Sequence, residues 1–244
     1  MSQSIYTEGI EAATLTLTSG GASSNEALLK NRDLRVKAIN KTGTGAIFIE
    51  IDYGANFTAD YCVLGNIYSS LSMSYRVEKW TGSAWSILAS ASEVASNVNK
   101  LFPFTSTTAT KYRVVLNSAG TSMTVQLGTI FLGSVYTFPV NYQFNNARNS
   151  FEYAEVKSDL MGYPYSHIAN SDKKLDLKMN YHLTDSQLSS LETKMANADY
   201  VKPFFFSDSN IDTNLRLYKL QGGRLNVSNL SAGYFNVPFN ITEL

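Results

Sequence analysis

Apolar and polar residues alternate with period two from residue 14 to about residue 135, and small-residue turns interrupt the alternation repeatedly. Successive side chains of a strand point to opposite faces, so the pattern marks many short strands, each with one buried face. Thr14-Leu15-Thr16-Leu17-Thr18 alternates cleanly, Leu34, Val36 and Ala38 share a face, and Ile47, Ile49 and Ile51 share another before Asp52-Tyr53-Gly54 ends the run. Met73, Tyr75 and Val77 follow, and Thr81-Gly82-Ser83 separates them from Ala84-Trp85-Ser86-Ile87-Leu88, which predicts a hairpin flanked by Trp80 and Trp85. Tyr112, Val114 and Leu116, then Met123, Val125 and Leu127, complete a sandwich-like series of strands.

Composition supports this reading. The chain has 244 residues, 44% of them hydrophobic and 12% aromatic, with only 16% charged. Ser, Thr, Asn and Gly take the polar surface, as suits strands and turns, and helix is the minority state. Twenty basic residues balance twenty acidic ones, so no global field draws the chain to nucleic acid or to an anionic membrane. The start, MSQSIYTEGI, has no signal-peptide pattern and no apolar stretch approaches the length of a membrane span, so synthesis and folding in a cytosol are expected. Cys62 sits in the apolar run Tyr61-Cys62-Val63-Leu64, where a buried thiol is expected. The Asn-x-Ser/Thr triplets at Asn40, Asn56, Asn226, Asn229 and Asn240 need only reflect composition.

Within residues 47–138, the segments IEIDYG, TADYCVLGN, YRVEKWTGSAWSIL, TKYRVVLNSAG and TVQLGTIFLGSVYTFP together resemble the discoidin-like, galactose-binding-like jelly roll. The resemblance implies a binding module that presents ligands at the loops of one end. No loop here carries a ligand signature of that family.

Tyr136-Thr137-Phe138-Pro139 is the expected hinge, dividing the chain into residues 1–138 and 139–244. Beyond it, Tyr142, Phe144, Phe151 and Tyr153 make aromatic strand fragments, and Leu175, Leu177 and Met179 alternate with polar residues. One helix is predicted over about Asp185 to Ala198, with Thr184 and Gln187 as a capping box, Leu183 and Leu188 as a hydrophobic staple, and Leu188, Leu191 and Met195 on the buried face. Three strand-like runs follow: 203–206, 215–220 and 234–241. The order β–β–α–β–β–β is an α+β unit, built on a sheet or split barrel with one helix. The three phenylalanines Phe204 to Phe206 cannot share one strand face. Either both faces are buried or one ring docks on a neighbour, and burial is the preferred reading.

Strands before one helix, KPFFFS directly after it and a terminal VPFNITEL make this second half similar to the tail-tube-like domain of phage tail tube, distal tail and minor tail proteins. That resemblance implies a ring-forming homo-oligomer, a hexamer or trimer. It also implies partners such as the tail tube and tail-tip hub, and a place in a virion tail near the baseplate.

Little chemistry stands out. His167 and His182 have no metal-ligand spacing with each other or with Cys62, and no GxSxG, HExxH or glycine-rich phosphate loop is present, so neither a metal, a cofactor nor catalysis is expected. Asp52 and Asp60 bracket YGANFTA. They read as a calcium or sugar site on one view, and as ordinary turn chemistry on the preferred one. Trp80 lies on the strand face that carries Arg76 and Glu78, so it is the tryptophan expected to be exposed for stacking on a sugar. Asp52, Asp60 and Trp80 are therefore the carbohydrate-binding candidates.

The expected function is a non-enzymatic structural protein of a phage tail that displays its sandwich outward. The alternatives are a module binding host surface glycans, and a capsid decoration or head-to-tail connector protein. A glycosidase is the weakest reading, because no acid pair is singled out.

Overall fold

The computed structural model describes residues 3–19, 23–32, 34, 36–118, 120–139, 142–158, 164–208, 212–231 and 233–244. The strands are β1 (Gln3–Tyr6), β2 (Thr14–Ser19), β3 (Ser23–Ser24), β4 (Ile39–Gly43), β5 (Ala46–Ser69), β6 (Met73–Trp80), β7 (Trp85–Glu93), β8 (Ser96–Asn117), β9 (Met123–Leu127), β10 (Thr129–Gly133) and β11 (Tyr136–Thr137). They continue with β12 (Tyr142–Ser158), β13 (Pro164–Thr184), β14 (Phe204–Asp208), β15 (Asp212–Leu220), β16 (Ser228–Ser231) and β17 (Tyr234–Glu243). A one-turn helix α1 (Glu26–Leu29) follows β3, and α2 (Asp185–Asn197) follows β13. The fold is mostly β, in two compact units: Gln3–Thr137 with Phe204–Arg216, and Phe138–Pro203 with Leu217–Leu244.

The first unit is a β-sandwich threaded by two long strands. β5 and β8 pair antiparallel along their lengths, with register shifts between Asp52 and Phe57 and between Ala59 and Tyr61. Such shifts bend a strand pair, so one pair serves two layers. Residues 46–52 of β5 and 111–117 of β8 belong to a five-stranded layer in the order β2, β5, β8, β6, β7. Residues 61–65 of β5 pair with β10 and, across the other edge, with residues 100–103 of β8, forming the second layer. The core joins Ile47, Ile49 and Ile51 of the first layer to Cys62, Leu64, Phe102, Ile130 and Leu132 of the second. Burying each of these large aliphatic side chains stabilises the fold by roughly 1.5–3 kcal/mol.

The second layer is covered on its other face as well, which explains the continuous apolar run Tyr61 to Leu64. Tyr6 of β1 meets Tyr61 edge-on at 4.9 Å, and Phe205 of β14 meets Phe131 at 4.9 Å. β14 pairs with β1, Phe206 opposite Ile5, and all of Phe204, Phe205 and Phe206 are buried, which is the core reading of the triple phenylalanine. Cys62 is buried, and desolvation pushes its thiol well above the usual range. The outer face of the five-stranded layer, by contrast, carries half-exposed side chains.

In the second unit β12 and β13 form a long hairpin, and β17 pairs with β13 from Thr184 to Asp176. The other edge of β17 takes β16 and the end of β15, with Tyr218 opposite Glu243. Leu177, Met179, Tyr181 and Leu183 alternate along β13 and are all buried. Phe138 stacks on Tyr181 at 3.9 Å and meets Phe239 at 5.3 Å. The capping box predicted for α2 is present: the Gln187 N–H donates to Thr184 Oγ1 at 3.4 Å, and the Thr184 N–H donates to Gln187 Oε1 at 2.9 Å. Leu188, Leu191 and Met195 are its buried residues. The side chain of His167 falls outside the described residues, and His182 is half-buried on β13 opposite Asn236.

Three expectations need correction. β5 does not end at Asp52-Tyr53-Gly54 but continues to Ser69, because the bend there carries the chain from one layer to the other. Leu34 and Val36 lie outside any strand, and the strand expected there starts at Ile39. In that segment side chains replace a ladder: Asn66 Nδ2 donates to the Leu34 carbonyl, and the Lys37 ammonium donates to the Asn66 carbonyl and Oδ1 at 2.7 Å and to Asn97 Oδ1 at 2.9 Å. Among the described residues four strands rather than three follow the helix, β16 being the addition.

Candidate functional site

The β6–β7 hairpin fixes one end of the outer face. Its turn is closed by the Thr81 N–H donating to the Ala84 carbonyl at 2.9 Å, with Gly82 at φ +96°, where a side chain would be strained. Trp80 and Trp85 are direct cross-strand partners, their ring centroids 5.3 Å apart and their planes tilted by 59°. Directly opposed residues share a face, so both indoles belong to the outer face, and both are half-buried.

Behind them the register lines up charges. Glu50 pairs with Arg113, Arg113 with Glu78, and Glu78 with Ile87, making a row across β5, β8, β6 and β7. A register shift between Val77 and Glu78 sets the last of these pairs. Arg113 donates from Nε at 2.9 Å, and also from Nη2, to Glu78 Oε2. Glu78 is 4% exposed although it points away from the core, because Arg113 lies flat over the sheet. The guanidinium carbon sits 4.2 Å from the centroid of Trp85 and 5.1 Å from that of Phe48, a stacked arrangement that favours a cation over a π face. Arg76 Nε is 3.6 Å from Glu78 Oε1.

A parallel row begins at Asp52, whose cross-strand partner is Lys111. The Lys111 ammonium bridges Glu50 Oε1 at 3.1 Å and Asp52 Oδ2 at 2.9 Å. Asp52 Oδ1 also accepts the Gly54 N–H at 2.8 Å. The hydrogen bond from Lys111, then that from Gly54, holds the Asp52 carboxyl below the usual carboxylate range, and Asp52 and Glu50 raise Lys111 in return. Nearby, Tyr53 stacks on Phe57 at 3.8 Å, and Tyr112 Oη lies 2.8 Å from the Phe57 carbonyl and 2.9 Å from that of Thr107, bracing the bend.

Asp52 and Trp80 therefore share one face, two strand spacings or roughly 10 Å apart. Asp60 is elsewhere: its Oδ1 accepts the Val135 N–H at 2.8 Å, tying the chain beyond β10 to β5. Thr184 and Gln187 serve the helix start and nothing further. Trp85 flanks the hairpin the sequence predicts, with Trp80 the preferred stacking residue of the two, whereas Arg113 and Lys111 are not among the sequence candidates, although the alternation that places Arg76, Glu78 and Trp80 outward does the same for Lys111 and Arg113 in KYRVVLN. Among the described residues no group of three or more His, Cys, Asp or Glu is placed to hold a metal ion, and no helix is long and apolar enough to cross a membrane.

The sequence matches no protein-family model and no curated protein. Among solved structures the chain is similar to a Ruminococcus gnavus GH29 fucosidase in complex with fucose, at 14% identity and a TM-score of 0.44, over 54% of this chain and 28% of that one. It is similar to a CBM32 module from Clostridium perfringens in complex with GalNAc-β-1,3-galactose, at 13% identity and a TM-score of 0.40, over 51% of this chain and 97% of the module. A chitosan-binding module from a Paenibacillus sp. IK-5 chitosanase/glucanase is matched at 15% identity and a TM-score of 0.40, over 52% of this chain and 98% of the module. The match thus spans only about 28% of the length of the fucosidase.

Proposed function

We propose that the first unit is a carbohydrate-recognition module that holds a saccharide on the outer face of its five-stranded layer, and that it binds without catalysis. One observation carries the reading: the paired, half-buried Trp80 and Trp85 lie beside a two-row array of ion-paired side chains on the same face. The C–H face of a sugar ring packs against an indole, while its hydroxyls, each donor and acceptor, bond charged groups fixed in place. Each carboxylate on the face, at Glu50, Asp52 and Glu78, is held by a cation, which suits a binding surface rather than an acid–base pair. A glycan array probed with the whole chain tests this. Binding that is lost on Trp80→Ala, with the fold intact by circular dichroism, supports the reading, and a blank array with and without calcium sinks it.

A second reading concerns the other unit, where β12, a strand of 17 residues, is the terminal strand of the sheet among the described residues. A long edge strand offers a row of N–H and C=O groups to another chain, which favours self-assembly, as in a distal or minor tail protein of a phage or in a capsid decoration or connector protein. The two readings are compatible, with assembly by the second unit and glycan recognition by the first. Light scattering after size-exclusion chromatography, electron microscopy and analysis of purified particles test it. A protein that stays monomeric at high concentration and is absent from particles overturns it.

A further inference from the structure

The outer face of the five-stranded layer carries six charged side chains, and they cancel. Glu50, Asp52 and Glu78 stand against Lys111, Arg113 and Arg76, with Lys111 shared by Glu50 and Asp52, and Glu78 shared by Arg113 and Arg76. Lys111 and Arg113 are thus already hydrogen-bonded to carboxylates on the same face, and Arg76 stands 3.6 Å from Glu78, within ion-pair but not hydrogen-bond reach. An anionic ligand would have to compete with those carboxylates for their cations and would sit against them, whereas an uncharged hydroxyl accepts from the cation and donates to the carboxylate of one pair without parting them. Arg113 spends Nε and Nη2 on Glu78 and keeps Nη1 for such a contact. Neutral ligands alone keep every existing pair.

The same face also has a direction. Trp85 on β7, Trp80 on β6, Lys111 on β8 and Asp52 on β5 occupy four adjacent strands, because Lys79, just before Trp80, is opposite Tyr112, just after Lys111. Three strand spacings of about 4.8 Å make this row roughly 14 Å long, longer than one sugar ring resting on an indole. Resting on the reading that this face binds a saccharide, we infer that its ligand is a neutral oligosaccharide laid across the strands, one ring on Trp80 and the next over the Lys111–Asp52 pair.

The test is an array holding neutral, uronate, sulfated and sialylated glycans, probed with the whole chain at about 20 mM and about 500 mM salt, across which the screening of exposed charges changes strongly. The best neutral glycan is then titrated as the intact oligosaccharide and as its terminal monosaccharide, with wild type and Lys111→Met. The inference expects neutral hits that persist at high salt, a monosaccharide bound at least about ten-fold more weakly, and Lys111→Met weakening the oligosaccharide but not the monosaccharide. Anionic hits that fade with salt, or a monosaccharide bound as tightly as the chain it ends, overturn the inference and leave saccharide binding standing. An array with no hits overturns the underlying reading instead. Thermal melting of Lys111→Met within a few degrees of wild type separates lost contact from lost fold.

Discussion

Replacing Arg113 by methionine strands a carboxylate. Glu78 is 4% exposed, and Arg113 supplies two of its hydrogen bonds while itself being 21% exposed at the side chain. Removing one partner of a fully buried pair costs about 3–5 kcal/mol. Here Arg76, 3.6 Å away, still offsets part of the charge, so about 2 kcal/mol is the expected electrostatic loss. The lost stacking on Trp85 and Phe48 adds about 0.5–1 kcal/mol. A total of about 2–3 kcal/mol lowers the melting temperature by roughly 5–10 °C in a chain of this size. Urea unfolding followed by circular dichroism measures it, and a Glu78→Met/Arg113→Met double variant supplies the coupling. Because the double variant no longer buries an unpaired charge, it should be more stable than Arg113→Met alone. A single variant within about 0.5 kcal/mol of wild type, or a double variant less stable than the single, would refute the reasoning.

Three further outcomes follow from the same geometry. Thr184→Ala removes the hydroxyl that accepts the Gln187 N–H and should cost about 1 kcal/mol in urea unfolding, while Thr184→Asp stays close to wild type. Burial pushes Tyr112 from 10 up to about 12, so its contribution is fully present below pH 10 and is lost as pH rises through 12. Two pKa units correspond to about 2.7 kcal/mol, and because Tyr112 is fully buried, Tyr112→Phe should remove up to about that much of the stability loss between pH 10 and 12. Gly82→Ala meets no atom within 4 Å but forces a side chain into φ +96°, so it should cost roughly 1–2 kcal/mol in thermal or urea unfolding and loosen the Trp80–Trp85 pair.

Where structure is local, the sequence shows it. The 73–93 hairpin follows from alternation around Thr81-Gly82-Ser83, and α2 begins where Thr184 and Gln187 cap it. What escapes sequence reading depends on partners far away along the chain. β1 pairs with β14 across some two hundred residues, so the grouping of Phe204–Arg216 with Gln3–Thr137 has no local signal, and neither does the burial of both faces around Cys62. The bend between Asp52 and Phe57 reads as a strand end because turn residues mark bends and ends alike. The site follows the same division. Trp80 is legible from its charged strand neighbours, whereas Arg113, Lys111 and Glu50 join it only through the β5–β8–β6 register. Asp60 is close to Asp52 in sequence, yet its carboxylate is spent on the Val135 N–H.

Isothermal titration calorimetry of the whole chain and of Trp80→Ala, with the best neutral oligosaccharide from the array, tests the central claim most directly. Saccharide recognition on the outer sheet face predicts measurable binding by wild type and at least a ten-fold loss, about 1.4 kcal/mol, in Trp80→Ala with the melting temperature little changed. Equal affinity in the two proteins would contradict it.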